Sequence, residues 1–289
     1  MKIARFRDGK NVGYGVVDGD RLRDVSGAPE LSCGIAGLLS GGSKARDAVV
    51  AAAARGREIP LSEVRLLAPI PHPSKLLAIG LNYADHVKEA GLEAPTFPVF
   101  FNKQTSCVVG PGDEIHRPRV SQMLDFEGEL AMVIGRRCRH VPAARALEVI
   151  GGYTICNDVT VRDWQFKAPT MTLGKSFDTH GPTGPWVVTA DEIPDPQKLR
   201  IRTWLNGELM QDASTAEMIF SCAQQIETLT TAFTLEPGDI VSTGTPAGVG
   251  IARQPWVLMK PGDVVKVEIE GIGTLENSVV EEPADTAVL

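Results

Sequence analysis

Much of the chain alternates apolar and polar residues with a period of two, the pattern of strands buried on one face. Val265, Val267 and Ile269 alternate with Lys266, Glu268 and Glu270. Ile201, Thr203 and Leu205 alternate with charged or larger neighbours, and Asn206-Gly207 then supplies a hairpin turn. Leu130 to Ile134 is apolar without interruption, which predicts a strand covered on both faces; Trp186 to Thr189 is a shorter run of the same kind. The first 30 residues read as a small β-meander turning at Asp8-Gly9 and Asp18-Gly19. Ser43 to Arg55 reads as an Ala-rich helix closed off by Gly56 and Pro60. Ser214 and Glu217 make a capping box ahead of Met218, Ile219, Cys222, Ile226, Leu229 and Phe233, which predicts one long helix ended by Pro237-Gly238. The proline-punctuated stretch Val64 to Pro73 marks a boundary. The expected fold is mainly β with some α, with a small N-terminal domain over residues 1–70 and a larger one over 71–289.

Composition narrows the function. At 289 residues with 43% hydrophobic and 22% charged positions, the chain can bury a substantial core. No run approaches the roughly 18 apolar residues a membrane span needs, and the first eight residues carry charge where a signal peptide would be apolar. A cytoplasmic location is expected. Cys33, Cys107, Cys138, Cys156 and Cys222 are scattered with no CxxC pair, so they read as core or subsurface thiols rather than a disulfide framework or zinc site. The formal net charge of −7 argues against nucleic acid as a partner. An anionic substrate must then be attracted locally, by a cation or a metal.

The sharpest chemical feature is Asp125-Phe126-Glu127-Gly128-Glu129, leading into the apolar strand. In a strand Glu127 and Glu129 project to one face, about 7 Å apart at the backbone. Such a pair either binds a hard divalent ion or forms an exposed acidic strand end. Gly152 to Cys156 reads as a strand delivering Asp158 to a loop, where it is a third ligand, a turn residue or a helix cap. Gly174-Lys175-Ser176 resembles the end of a phosphate-binding loop, but Pro169 stands where that loop needs glycine. Lys175 then reads as a surface lysine or a site residue. His86 and Glu89, three apart, share a face if helical, and the carboxylate would raise the basicity of the imidazole. A surface pair is the bland alternative. The glycine-rich stretch Thr243 to Gly250 is a structural turn or a backbone anion cradle.

Together these segments resemble the fumarylacetoacetate hydrolase family, over roughly Lys75 to Glu281. The resemblance rests on Gly80-Leu81-Asn82-Tyr83 with His86 and Glu89, on Asp125 to Leu130, on Asn157 to Asp163, on Gly174 to Asp178, on Asn206-Gly207-Glu208 and on Thr243 to Pro246. It implies a mixed β-sandwich roll as catalytic domain, a smaller N-terminal domain and a homodimer. It also implies Glu127, Glu129 and Asp158 as ligands of Mg²⁺ or Mn²⁺, with Ca²⁺ a further candidate, and Lys175 beside the metal. His86 and Glu89 correspond to a water-activating pair on a lid, and Tyr83, Arg162, Gln165 and Thr245 to substrate contacts. Some members carry arginine where this chain has Leu81. The Leu-Asn-Tyr form resembles the bacterial catabolic branch, whose members hydrolyse diketo acids or acylpyruvates, isomerise hydroxydienedioates or decarboxylate oxo-acids.

The implied activity is hydrolysis of a C–C bond in a small β-diketo or 2-oxo acid of the acylpyruvate or fumarylpyruvate kind. The metal would hold the substrate by two oxygens and stabilise the enolate left by cleavage. Decarboxylation of oxaloacetate and isomerisation of a hydroxyheptadienedioate use the same stabilisation and stay open. A non-catalytic metal- or small-acid-binding protein is the alternative from another class.

Overall fold

The apolar run at Leu130 forms the middle of the molecule. In the computed structural model, which describes residues 1–285, the strand Gly128–Ile134 is buried along its whole length. Its side chains divide by parity. Leu130, Met132 and Ile134 enter one hydrophobic cluster, and Ala131 and Val133 another on the opposite face. That explains the unbroken apolar sequence, since neither face meets water.

The strand pairs antiparallel with Ile150–Asn157 on one side and Ile240–Ser242 on the other. Beyond Ile240–Ser242, Leu76–Gly80 runs parallel and Val99–Lys103 closes the path. In the other direction Gly181–Thr189 pairs with Ile150–Asn157 and then with Lys2–Asp8, the first strand of the meander. Lys2 lies opposite Val188 and Ile3 opposite Val187. The N-terminal meander therefore extends the central sheet and does not form a sheet of its own. The predicted Ala-rich helix runs Gly42–Ala53, and the helix Gly34–Ser40, which the sequence reading missed, precedes it. Ile35, Leu38, Leu39 and Val49 from these two join Ala131 and Val133 in one core.

A second, five-stranded sheet packs on the other face. It holds the predicted hairpin Arg200–Leu205 and Glu208–Ser214, where Asn206 and Gly207 adopt φ of 52° and 83°, as a two-residue turn of this hand requires. The strand Val264–Ile269 alternates as expected, with Val265, Val267 and Ile269 buried. No helix among the described residues is long and apolar enough to cross a membrane.

The long helix expected from Ser214 onward is divided in two. Its capping box exists, but it starts only the 3₁₀ turn Thr215–Glu217. A second box, Ser221 with Gln224, begins the helix Cys222–Ala232. Between them the Ile219 amide donates to the Asn82 carbonyl at 2.7 Å and the Phe220 amide to Asn82 Oδ1 at 2.8 Å. Met218 bridges Tyr83. Tertiary hydrogen bonds thus claim the amides a continuous helix would have used.

His180 links the two sheets just before the strand Gly181–Thr189. It is fully buried, and its Nε2–H donates to the His116 carbonyl at 2.8 Å. Nδ1 has no partner, so a second proton there would be a buried, unbonded donor. Burial lowers its pKa from 6.5 to about 3. Because the unfolded chain takes up this proton near pH 6.5 and the folded chain does not, stability falls as pH drops through that range. The expected loss is roughly 1 kcal/mol per pH unit below 6.5. Urea denaturation at pH 7.5 and 5.5 with EDTA present should give a smaller pH difference for His180→Gln than for the parent. An identical difference would rule this histidine out as the source.

Candidate metal centre

The register of the central ladder brings the acids together. Gly128 lies opposite Asn157 and Glu129 opposite Cys156. At the end of this ladder the Asp158 amide donates to the Glu127 carbonyl at 2.8 Å, and the Glu127 amide to Asn157 Oδ1 at 3.0 Å. Glu127 and Asp158 thus leave the sheet side by side, with Glu129 one pleat further in. All three are buried, and one carboxylate oxygen from each lies within 4.8 Å of the others.

Cations surround this group. The Lys175 ammonium donates to Glu127 Oε2 at 2.7 Å and to Asp158 Oδ2 at 2.8 Å. The Lys103 ammonium donates to Asp158 Oδ1 at 2.6 Å, with no exposed side-chain surface. Arg162 pairs with Glu127 at 2.6 Å and with Asp125 at 2.8 Å. Three acids and one lysine, as read from the sequence, understate the cluster. Four carboxylates face three cations, and a dication would carry the whole to a single positive charge, suited to an anionic substrate. Burial opposes the charge on Glu127, but Lys175 and Arg162 outweigh it and hold its pKa at about 2. Glu129 moves the other way. Burial, then the neighbouring Asp158 and Glu127, push its carboxyl well above the usual range. Its Oε2 accepts from Ser242 Oγ at 2.5 Å and from the Gly244 amide at 2.9 Å. A cluster of three carboxylates, one of them short of counter-charge, is an all-oxygen donor set that fits a hard divalent cation.

Above the acids opens a cavity of about 720 Å³, whose walls include Glu127, Lys175, His86, Glu89, Gln165 and Thr245. The short helix Ala84–Glu89 brings His86 and Glu89 together, with Nδ1–H donating to Glu89 Oε1 at 2.7 Å. Glu89 Oε2 accepts from the Gly248 amide at 2.9 Å. Gly248 has φ of 104°, and a Cβ there would meet the Met210 carbonyl oxygen at 2.1 Å, so this position requires glycine. The glycine-rich stretch cradles anions that belong to the protein itself: Glu129 from Gly244, Glu89 from Gly248 and Asp125 from Gly250 and Ile251.

The other predicted contacts divide. Gln165 and Thr245 line the cavity; Gln165 Oε1 accepts from Arg162, and Thr245 Oγ1 donates to the Gly128 carbonyl and accepts from Gln211. Arg162 reaches the wall, with its guanidinium ion-paired to Asp125 and Glu127, so it also orders the acids. Tyr83 is a correction. It is 1% exposed, packs in the core with Leu77 and Leu130, and is not among the cavity walls. Lys103 and Asp125 went unread. The available signal for Lys103 was its alternation with the inward Phe101 across the exposed Asn102. Asp125 lies in the acidic segment Asp125 to Glu129, and only the pairing with Arg162 reveals its task.

Residues 75–280 match the family described as fumarylacetoacetate (FAA) hydrolase C-terminal, and residues 1–69 match one described as Rv2993c-like, N-terminal. A Xenopus laevis protein named oxaloacetate tautomerase fahd2, mitochondrial, is 40% identical over 97% of this chain and 90% of its own length. The crystal structure of 2-hydroxyhepta-2,4-diene-1,7-dioate isomerase from Mycobacterium marinum is 37% identical, with a TM-score of 0.79 over 98% of this chain and 99% of that one. Maleylpyruvate hydrolase from Sphingobium sp. SYK-6, solved with a manganese(II) ion and pyruvate, is 32% identical, with a TM-score of 0.83 over 98% and 100% of the two chains. With the sheet, the acid cluster and matches spanning nearly its whole length in agreement, this chain belongs to the fumarylacetoacetate hydrolase family.

Proposed function

We propose that the protein is a Mg²⁺- or Mn²⁺-dependent hydrolase that cleaves a C–C bond in a small 2,4-dioxo acid. The observation that carries this reading is the hydrogen-bonded His86–Glu89 pair on the same cavity wall as Glu127 and Lys175. A divalent ion gripped by Glu127, Glu129 and Asp158 would supply Lewis-acid polarisation of the substrate's 2-oxo group.

The chain's own residues account for the rest. Glu89 is held at both oxygens, by His86 Nδ1–H and by the Gly248 amide, so it keeps the imidazole in one orientation with Nε2 as the basic atom. His86 takes a proton from a water, and the oxygen of that water bonds to the second carbonyl carbon. The bond between this carbon and the pyruvate-like fragment then breaks, leaving its electron pair on the departing fragment. The Lys175 ammonium, already directed at Glu127 and Asp158, lies beside the developing negative charge. His86 returns its proton to the carbon of the departing fragment that kept the electron pair, giving a carboxylic acid and a 2-oxo acid as products.

A second reading has its own support, the 40% identity to a protein named as an oxaloacetate tautomerase. Enol–keto exchange needs no water nucleophile, and the same His86 would move a proton between carbon and oxygen of one substrate.

Glu127→Gln and Asp158→Asn should each weaken Mn²⁺ binding at least 100-fold by calorimetry and abolish turnover; unchanged binding would remove either residue from the ligand set. His86→Ala should keep Mn²⁺ affinity and lose a factor of about 10² to 10⁴ in kcat for 2,4-dioxo acids, followed by loss of enol absorbance. If the parent enzyme accelerates oxaloacetate enol–keto exchange yet cleaves no 2,4-dioxo acid, tautomerisation replaces hydrolysis as the function.

A further inference from the structure

Apart from the exposed Lys167, the polar groups of the cavity belong to the acid cluster and to the residues around it, His86, Glu89, Gln165 and Thr245. The far walls are Leu81, Leu92, Val99, Met171, Val249 and Ile251. Two of these are held in a backbone conformation that side-chain-bearing residues adopt at a cost: Leu81 has φ of 57° and Met171 of 58°. Among the described residues they are the only apolar non-glycine positions in that region; the others are His140, Thr179 and the turn residue Asn206. Leu81 directly follows the strand Leu76–Gly80, and Met171 directly precedes the turn Thr172–Lys175 that carries the site lysine. Gln165 Nε2 lies 3.6 Å from Met171 Sδ, and a Cβ on Gly174 would strike the Gln165 backbone nitrogen at 2.2 Å. The half-buried Met171 therefore touches Gln165 and adjoins the segment that carries Lys175.

All but one of the charged groups on the cavity wall are matched by opposite charge. Arg162 and Lys175 are each bound to Glu127, and His86 is bound to Glu89. The remaining cation, Lys167, stands with its ammonium 3.8 Å over the Trp164 ring. A second carboxylate at the far end of a substrate would lose its hydration against apolar walls. A hydrocarbon tail would gain, roughly fourfold in affinity for each buried methylene. A cavity of about 720 Å³ has room for such a tail beyond a three-carbon oxo-acid head.

Resting on the oxo-acid reading above, we infer that the substrate is a monoanion whose distal group is an uncharged alkyl or aryl chain, with Leu81, Leu92 and Met171 as specificity-determining residues. The test uses binding, because neither probe can be cleaved. The Mn²⁺-loaded enzyme is titrated calorimetrically with 2-oxoheptanoate and 2-oxoheptanedioate, equal in length and different only at the tail. The monoacid should bind at least tenfold tighter. Leu92→Lys, at an exposed position, and Met171→Lys should each narrow or invert that preference; if Met171→Lys fails to fold, Leu92→Lys alone decides. Equal or tighter binding of the diacid by the parent enzyme overturns the inference, and loss of that binding in Lys167→Met would identify this lysine as the reader of a tail carboxylate. If neither probe binds while Mn²⁺ does, the oxo-acid reading falls and this inference with it. A monoacid preference without cleavage of the matching 2,4-dioxo acid would keep the inference and remove the hydrolase.

Discussion

Three buried carboxylates that each bring an oxygen within 4.8 Å of the others repel strongly unless positive charge lies among them. The surrounding architecture answers that constraint. Lys103, Lys175 and Arg162 take up Glu127 and Asp158, and each cation is itself nearly or wholly buried. Glu129 receives only a hydroxyl and a main-chain amide, from Ser242 and Gly244. Both donors stand at the end of Ile240–Ser242, the strand hydrogen-bonded to Gly128–Ile134. The ladder that forms the hydrophobic core therefore also aligns the polar groups of the site. An all-oxygen site with one under-compensated acid is what a divalent ion completes.

Main-chain amides do much of the orienting. One loop, from Gly244 to Ile251, binds Glu89, Asp125 and Glu129, three carboxylates that come from two separate parts of the chain. Amides on a packed loop cannot rotate away as side chains can, so the geometry is set before any ligand arrives. Gly248 shows how little room this leaves, since a methyl group there would overlap the Met210 carbonyl.

The cavity joins two chemical environments. Its base carries concentrated charge in a protein whose net charge is −7, so attraction for an anion is local. Its far walls are apolar, and at the mouth Leu92 and Phe166 are 55% and 71% exposed. A ligand with one anionic head and one apolar end matches both environments at once.

An unbroken apolar run by itself determined the buried strand Gly128–Ile134, and alternation the hairpin at Asn206-Gly207 and the half-buried strand Val264–Ile269, because side-chain direction in a strand is a local property of period two. Spacing also marked Glu127 with Glu129 and His86 with Glu89, pairs whose partners are two or three residues apart. Tertiary structure decided the rest. Lys103 and Asp158, or Asp125 and Arg162, meet only through strand register, which no local window contains. The capping box at Ser214 promised a long helix until Asn82, more than 130 residues earlier, took the amides it needed. Tyr83 stood beside site residues in sequence and ended in the core, because a turn from strand to helix sends neighbouring side chains in different directions. The sequence carried what short-range periodicity encodes. Long-range hydrogen bonding and burial decided which of those residues share one site.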